Sequence, residues 1–252
     1  MEETMKFGPY EVTKTALDKF EYMTQFKITR ECSGKMTGFS ALNTSANVNP
    51  RCEAMSKNPE FICSKCYAKQ FMGYRKSCAD RYALNYEAAN KEVWKWVPDL
   101  EAFMCNRMVK AMRVEEFGDL GTVTQAINYL LVILANPDIM FGWWTKHVWL
   151  VKQAMEALGI SELPNNLSLV GSSRKMNEVE QSYRKFPFVN HIFTVYRLDY
   201  CEQHGTETNC AALSCINCLR CYRKDGDFYI NEMLKSDHQK KKRKTLSPSL
   251  SL

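Results

Sequence analysis

Three thiols fall within one short stretch, Arg51 to Tyr67, which reads RCEAMSKNPEFICSKCY. Ten residues separate Cys52 from Cys63, and Cys63 and Cys66 form a C-x-x-C pair followed by Tyr67 and Ala68. Three cysteines in one loop are a ligand set for a metal ion or an iron–sulfur cluster. A centre held by three protein ligands keeps one position open for chemistry. Cys32, Cys78 or Cys105 would close that position. Cys78 and Cys105 stand in helix-favouring stretches, where a lone cysteine behaves as a small buried apolar residue. The reading therefore leans to three ligands.

A denser group follows near the end. Cys201, Cys210, Cys215, Cys218 and Cys221 crowd together, and Cys215-x-x-Cys218-x-x-Cys221 resembles the ligand run of bacterial ferredoxins. Cys210 or Cys201 supplies the fourth thiolate. The alternative is a structural zinc site on Cys210, Cys215, Cys218 and Cys221, although zinc usually joins two separated C-x-x-C arms. The count of eleven cysteines is odd, so a full set of disulfides leaves one thiol over.

Compartment decides what such thiols do. The N-terminus MEETMKFGPYEV lacks the apolar core of a leader, and the longest apolar stretch, Ala126 to Ala135, is too short to span a bilayer. The expectation is a cytoplasmic protein with no membrane partner, where cysteines serve metals rather than disulfides. A net charge of +6 permits a polyanionic partner, DNA or RNA, through the basic surface and through Lys240 to Lys244 in the tail. Such tails are equally often only solvated.

The pattern along the chain is that of an α/β protein. Leu17, Phe20, Met23 and Phe26 predict a helix over 13–29. Lys35 to Leu42 carries a short strand, and Asn43 to Pro50 is loop. A helix-favouring stretch over 79–111 is broken at Pro98, with Asp99 capping a second segment. Met112 opens a strand that ends at Gly118-Asp119. Thr122 or Thr124 caps a helix to Leu134, and Asn136-Pro137-Asp138 stops it. Ile139 to Trp144 is a strand ending at Thr145-Lys146-His147. A helix over 148–158 meets Gly159 at its end. Strands follow at 167–171 and 191–196.

Short strands alternating with helices predict a parallel α/β barrel, partial or complete. The expected organisation is an N-terminal helical segment (1–34), the barrel domain (35–200), a cysteine-rich cluster-binding extension (201–234) and a disordered basic tail (235–252). Barrels carry their chemistry at the carboxyl ends of strands. That rule gathers Cys52/Cys63/Cys66, Glu116/Asp119, Thr145/Lys146/His147 and Ser172/Ser173/Arg174 on one face. Glu115 and Glu116 point to opposite sides of their strand and do not act together. Glu116, Asp119 and Lys146 are the catalytic candidates. Trp143, Trp144 and Trp149 are either core or base-stacking residues.

With these residues in place, the chain resembles the radical S-adenosylmethionine enzymes. Their cluster loop also follows the first barrel strand and ends in C-x-x-C-Tyr. The resemblance implies a 4Fe–4S cluster on Cys52, Cys63 and Cys66, with S-adenosylmethionine on its open iron. Gly118 and Asp119 lie where the family's acidic turn holds the methionine amino group, Thr145 where a Thr-Asn-Gly ends the third strand, and Ser172 at the end of the next. These four are the cofactor-binding candidates. The later cysteines resemble an auxiliary-cluster extension. The resemblance further implies a reductant protein as partner and a radical that abstracts hydrogen from substrate. Two departures stand out: the family's first gap is three residues where this chain has ten, and Gly-Asp replaces Gly-Gly-Glu. The chain also resembles little-characterised cysteine-rich phage and mobile-element proteins, through Cys63-Ser-Lys-Cys66-Tyr67-Ala68, Gly118-Asp119 and Thr145-Lys146. Two further readings follow. One is an iron–sulfur nuclease or nickase with structural clusters and no S-adenosylmethionine. The other is a zinc-stabilised nucleic-acid-binding module.

Overall fold

The computed structural model of the chain describes residues 3–106, 108–234 and 237. Apart from Asp237, the expected basic tail, 235–252, lies outside the described residues. The elements run β1 (Glu3–Phe7), β2 (Tyr10–Thr15), α1 (Leu17–Thr24), β3 (Ser40–Leu42), α2 (Pro50–Ser56), α3 (Tyr67–Tyr74), α4 (Lys76–Lys91), β4 (Trp96–Pro98) and β5 (Ala111–Val114). They continue α5 (Val123–Leu134), β6 (Met140–Thr145), α6 (Val148–Leu158), β7 (Leu167–Ser172), β8 (His191–Tyr196), α7 (Leu198–His204), α8 (Cys215–Cys218) and β9 (Tyr229–Met233).

The main sheet has six strands in the order β3-β5-β6-β7-β8-β9. Every neighbouring pair is parallel. With β4 set aside, each strand therefore pairs with the one that follows it in the chain. Parallel pairing requires a crossover, and α5 and α6 supply two of them. Alternation sorts the strand residues onto two faces. Met112, Val114, Phe141, Trp143, Leu167, Leu169 and Ile192 join the main core with Leu130, Leu131, Val151 and Ala154 of the two helices. Ala41, Ala111, Trp144 and Val170 face the other way and pack with Phe39 and Tyr222. Helices thus cover one face, and the C-terminal cysteine segment covers the other.

That second cover explains a glycine in mid-strand. A Cβ on Gly142 would come within 2.7 Å of Trp144 and 2.8 Å of the Tyr222 ring. Only a bare backbone lets Tyr222 lie against β6.

The N-terminal region departs from the expected helical segment. The helix read over 13–29 is β2 followed by the shorter α1, ending at Gln25 in the left-handed region. β1 and β2 form an antiparallel hairpin, and β2 pairs parallel with β4 in a separate three-stranded sheet. Val12, Thr13 and Thr15 are β-branched and Gly8 turns the hairpin at φ +57°, so local strand preference prevails up to Thr15. The helix read beyond Pro98 is only a single turn, Glu101–Phe103, because the chain before it is committed to β4. The strand read over 35–42 shortens to β3, with a turn at Gly34–Met36. The elements expected at 122–134, 139–144, 148–158, 167–171 and 191–196 are all present, with two of the strands displaced or extended by one residue, to Met140–Thr145 and Leu167–Ser172. Thr122 is the cap, accepting from the Gln125 amide at 3.2 Å. Among the described residues, no helix is long and apolar enough to cross a membrane.

Candidate functional site

The first cysteine group is assembled by a helix cap and by the turns that follow it. Asn49 accepts from the Arg51 amide at 2.9 Å and so caps α2, with Pro50 at its first position. Cys52 thereby sits in the first turn of α2. Cys63 lies in the turn Ile62–Lys65, and Cys66 precedes α3, its amide donating to the Cys63 carbonyl at 3.2 Å. The loop is pinned across the sheet end as well. The Ile62 amide donates to the Arg174 carbonyl at 2.8 Å, just past β7.

The acidic turn after β5 is the second part of the site. Glu115 takes φ +59° there. Its carboxylate is buried and accepts from the Thr44 hydroxyl (2.8 Å) and amide (3.2 Å), the Gln125 amide group (2.6 Å) and the Tyr129 hydroxyl (2.7 Å). Burial lifts this carboxyl to about 7 even though Tyr129 and Thr44 favour the charged form. Gly118 closes against the same residues, since a Cβ there would stand 2.3 Å from the Thr44 hydroxyl.

Asp119 joins three pieces. Its Oδ1 accepts from the Thr145 hydroxyl (2.6 Å) and the Leu120 amide (2.8 Å), and its Oδ2 from the Lys146 amide (3.2 Å). Its carbonyl accepts from the Asn49 side chain at 2.8 Å, and Arg51 Nε donates to the Gly121 carbonyl at 2.9 Å. The cysteine helix, the acidic turn and the end of β6 are therefore one hydrogen-bonded unit.

Lys146 completes it. Burial opposes its charge, but Cys63, Asp119, Cys52 and Cys66 more than offset this and raise the ammonium. Burial pushes the Cys52 thiol up, with Asp119 adding to it and Lys146 working against it. The Cys63 thiol is likewise pushed up by burial, against the pull of Lys146. Cys52, Cys63 and Cys66 thus share one electrostatic neighbourhood with Lys146, and Cys63 also feels Lys69. His147 stands beside it, buried, with neither ring nitrogen bonded to protein and its ring edge-on to Trp149 at 4.8 Å. Burial keeps that imidazole neutral. Ser172 is buried at the end of β7, where its carbonyl accepts from the Tyr183 hydroxyl at 3.2 Å; the same hydroxyl lies 3.0 Å from the Lys146 carbonyl. Glu116 turns elsewhere, with Oε2 buried and unbonded and the Cys32 thiol beside it.

The second group is positioned by β9. Asn209 pairs with that strand, its side chain donating to the Tyr229 carbonyl (2.9 Å) and accepting from the Asn231 amide (2.8 Å). The Cys210 amide then donates to the Asn231 carbonyl at 3.0 Å. α8 carries Cys215 and Cys218, and Leu219 at φ +51° turns the chain so that Cys221 comes back. Cys210, Cys215, Cys218 and Cys221 line a single small, open cavity of about 40 Å³. Burial pushes the Cys210 thiol up to about 11 and the Cys221 thiol up to about 12.

No family model, curated protein or solved structure matches the chain.

The remaining cysteines distribute between the two groups. Cys32 packs with Phe39, Trp144 and Tyr222 on the face that carries the second group, and Cys105 accepts from the Ser40 hydroxyl at 3.7 Å. Cys78, like Cys52 and Cys66, packs against the small apolar cluster of Ala46, Ala68, Met72, Tyr82 and Phe117. Cys201 lies on α7, beside Tyr196. Among the described residues, no three His, Cys, Asp or Glu side chains converge on one point as the ligands of a single ion. A cubane asks something different, because each thiolate meets its own iron around a larger core. The donor chemistry of both groups fits that demand: three or four thiols, partly buried, each set with a cation at hand.

Sequence reasoning passed over two residues that the geometry brings forward. Glu115 was set aside as facing away from Glu116, yet it is the buried anchor of the acidic turn. Asn49-Pro50 carried a legible cap signal, but nothing local announces its second bond to Asp119.

Proposed function

We propose that the chain is a two-centre iron–sulfur protein in which the first centre, on Cys52, Cys63 and Cys66, performs radical S-adenosylmethionine chemistry. The observation that carries this reading is the unequal gathering of thiols, three beside Lys146 and Asp119 at the strand ends and four around one cavity. Three ligands leave one iron for a chelating cofactor, and four close a centre suited to electron relay or structure. When bound, the first cluster would supply an electron to the sulfonium of S-adenosylmethionine.

The chain's own residues have defined work in this reading. Lys146 balances the negative charge of the thiolates. Asp119 fixes Thr145 and Lys146 and keeps one acceptor position on Oδ2 for an ammonium group. Gly118, Asp119 and Ser172 are the residues this reading assigns to the cofactor. Glu116 faces Cys32 and not the first cysteine group, so this reading gives it no part at that centre. The six parallel strands in sequential order suit a partial barrel of the radical type.

A nuclease reading would need carboxylates free to meet a divalent ion. The donors already on Asp119 favour it less. The basic balance of the chain is compatible with DNA or RNA as substrate class, and the radical chemistry would need a reductant protein as electron source.

Anaerobic purification with iron and sulfide analysis tests the reading. It expects a brown protein with iron and labile sulfide, and deoxyadenosine from S-adenosylmethionine under a strong reductant. A colourless protein holding only zinc removes both cluster assignments. Iron with no deoxyadenosine after full reconstitution removes the radical chemistry alone.

A further inference from the structure

The cations around the four-thiol cavity are not equivalent. Lys35 pairs with Glu232 at 3.2 Å, and Arg220 stands 3.5 Å from Asp227. Arg113 has no ion-pair partner among the described residues. It stands on β5, in register with Gly142, and points to the face that the cysteine segment covers. Its guanidinium carbon lies 3.3 Å from the centroid of the Trp144 ring, and its Nε is buried without a partner. It lines the same cavity as Cys210, Cys215, Cys218 and Cys221.

A half-buried cation with no ion pair of its own is expensive to keep, since it loses water and gains no direct anion contact; Glu116 and Glu232 share its neighbourhood around Cys32 and Tyr67 without pairing with it. Stacking on Trp144 recovers part of this and also fixes the guanidinium in place. Neutral thiols offer it no counter-charge. A four-thiolate cluster does, because its thiolates outweigh the positive core, and the imbalance grows when the core gains an electron.

We infer that Arg113 is the charge partner of the second centre, a positioning residue that stabilises the reduced cluster and so holds its potential up. The inference rests on the iron–sulfur reading of Cys210, Cys215, Cys218 and Cys221. The electron comes from an external low-potential reductant and is held on the cluster; no bond to Arg113 forms or breaks.

The test uses full-length protein with Cys52, Cys63 and Cys66 changed to Ser, reconstituted anaerobically with iron and sulfide. Only the second centre then titrates. R113Q is expected to load as much iron as the parent and to titrate at a more negative midpoint potential. R113K, which keeps the charge, stays near the parent. K35Q shifts less than R113Q, because Lys35 is already neutralised by Glu232. An R113Q midpoint equal to the parent's, or a K35Q shift as large as that of R113Q, overturns the inference. If R113Q fails to load, a loaded R113K with the parent's potential upholds the charge role, and failure of both variants overturns it in favour of packing alone. A parent that takes up zinc and no iron overturns the cluster reading itself, and does so before any potential is measured.

Discussion

Two neighbouring glutamates at one strand end have opposite surroundings. Glu115 is buried with four donors, while Glu116 keeps a carboxylate oxygen unbonded. The Glu115 carboxyl is lifted from 4.5 to about 7, so the folded state holds its proton more tightly than the unfolded chain. Its contribution to stability is then full below about pH 4.5 and is lost as pH rises through about 7. The difference between wild type and E115Q, followed by urea unfolding, is expected to shrink by on the order of 3 kcal/mol over that window. Taking the difference removes the opposing trend from buried neutral His147. A pH-independent difference would show that Glu115 titrates as an ordinary surface carboxylate. Asp119 makes a different prediction, because its two oxygens meet three protein donors. In D119N an amide N–H faces the Lys146 amide, leaving a buried donor without an acceptor. The expected loss is about 1–3 kcal/mol in the urea midpoint. A midpoint that does not move would mean these bonds are solvent-replaced.

At the scale of elements, capping and periodicity carried most of what the sequence revealed. Thr122 before an apolar helix, Gly159 after the next, and short apolar runs at 140–145, 167–172 and 191–196 are local signals, and local interactions enforce them. The misses have physical causes too. β1, β4 and β9 are edge or short strands whose identity comes from pairing, and pairing is non-local. β9 was hidden because it follows a cysteine run that reads as ligand loop. At the site, spacing was enough to set Cys52 with Cys63 and Cys66 and to bring Cys215, Cys218 and Cys221 together, but it left Cys210 and Cys201 as alternatives, and only the pairing of Asn209 with β9 puts Cys210 at the cavity. The fates of Cys32, Cys78 and Cys201 were not legible, because each depends on which faces fold together. Gly142 belongs to the same class: nothing in its own strand explains it, and Tyr222, far along the chain, does. G142V places side-chain atoms where Tyr222 and Trp144 already lie. The expected cost is about 1–3 kcal/mol, with faster trypsin cleavage within 205–228, while the Glu115 network stays intact. Unchanged cleavage would mean that the segment does not rest on β6.

For the whole molecule, the cysteine-rich segment is a structural half of the sheet rather than an appendage. It supplies β9, the last strand in the order, and it covers the face carrying Ala41, Ala111, Trp144 and Val170 with Tyr222. β9 pairs with β8 along five residue positions, from Ile192–Tyr229 to Tyr196–Met233. A chain ending at Gly205 would lose that ladder and bare a contiguous apolar face together with a new sheet edge, and both promote aggregation. It would also strip the cover from Arg113, whose charge then faces water. The truncated protein is therefore expected to be insoluble, or to bind a hydrophobic dye strongly and unfold without a cooperative transition. The full chain with Cys210, Cys215, Cys218 and Cys221 replaced by Ser separates two causes. If the segment holds the fold by packing, this variant keeps a cooperative transition at a lower midpoint. If it holds the fold only through a bound centre, the variant behaves like the truncation. The burial of Tyr222 against Phe39 at 4.9 Å and Trp144 at 5.7 Å, which requires no metal, argues for the first outcome.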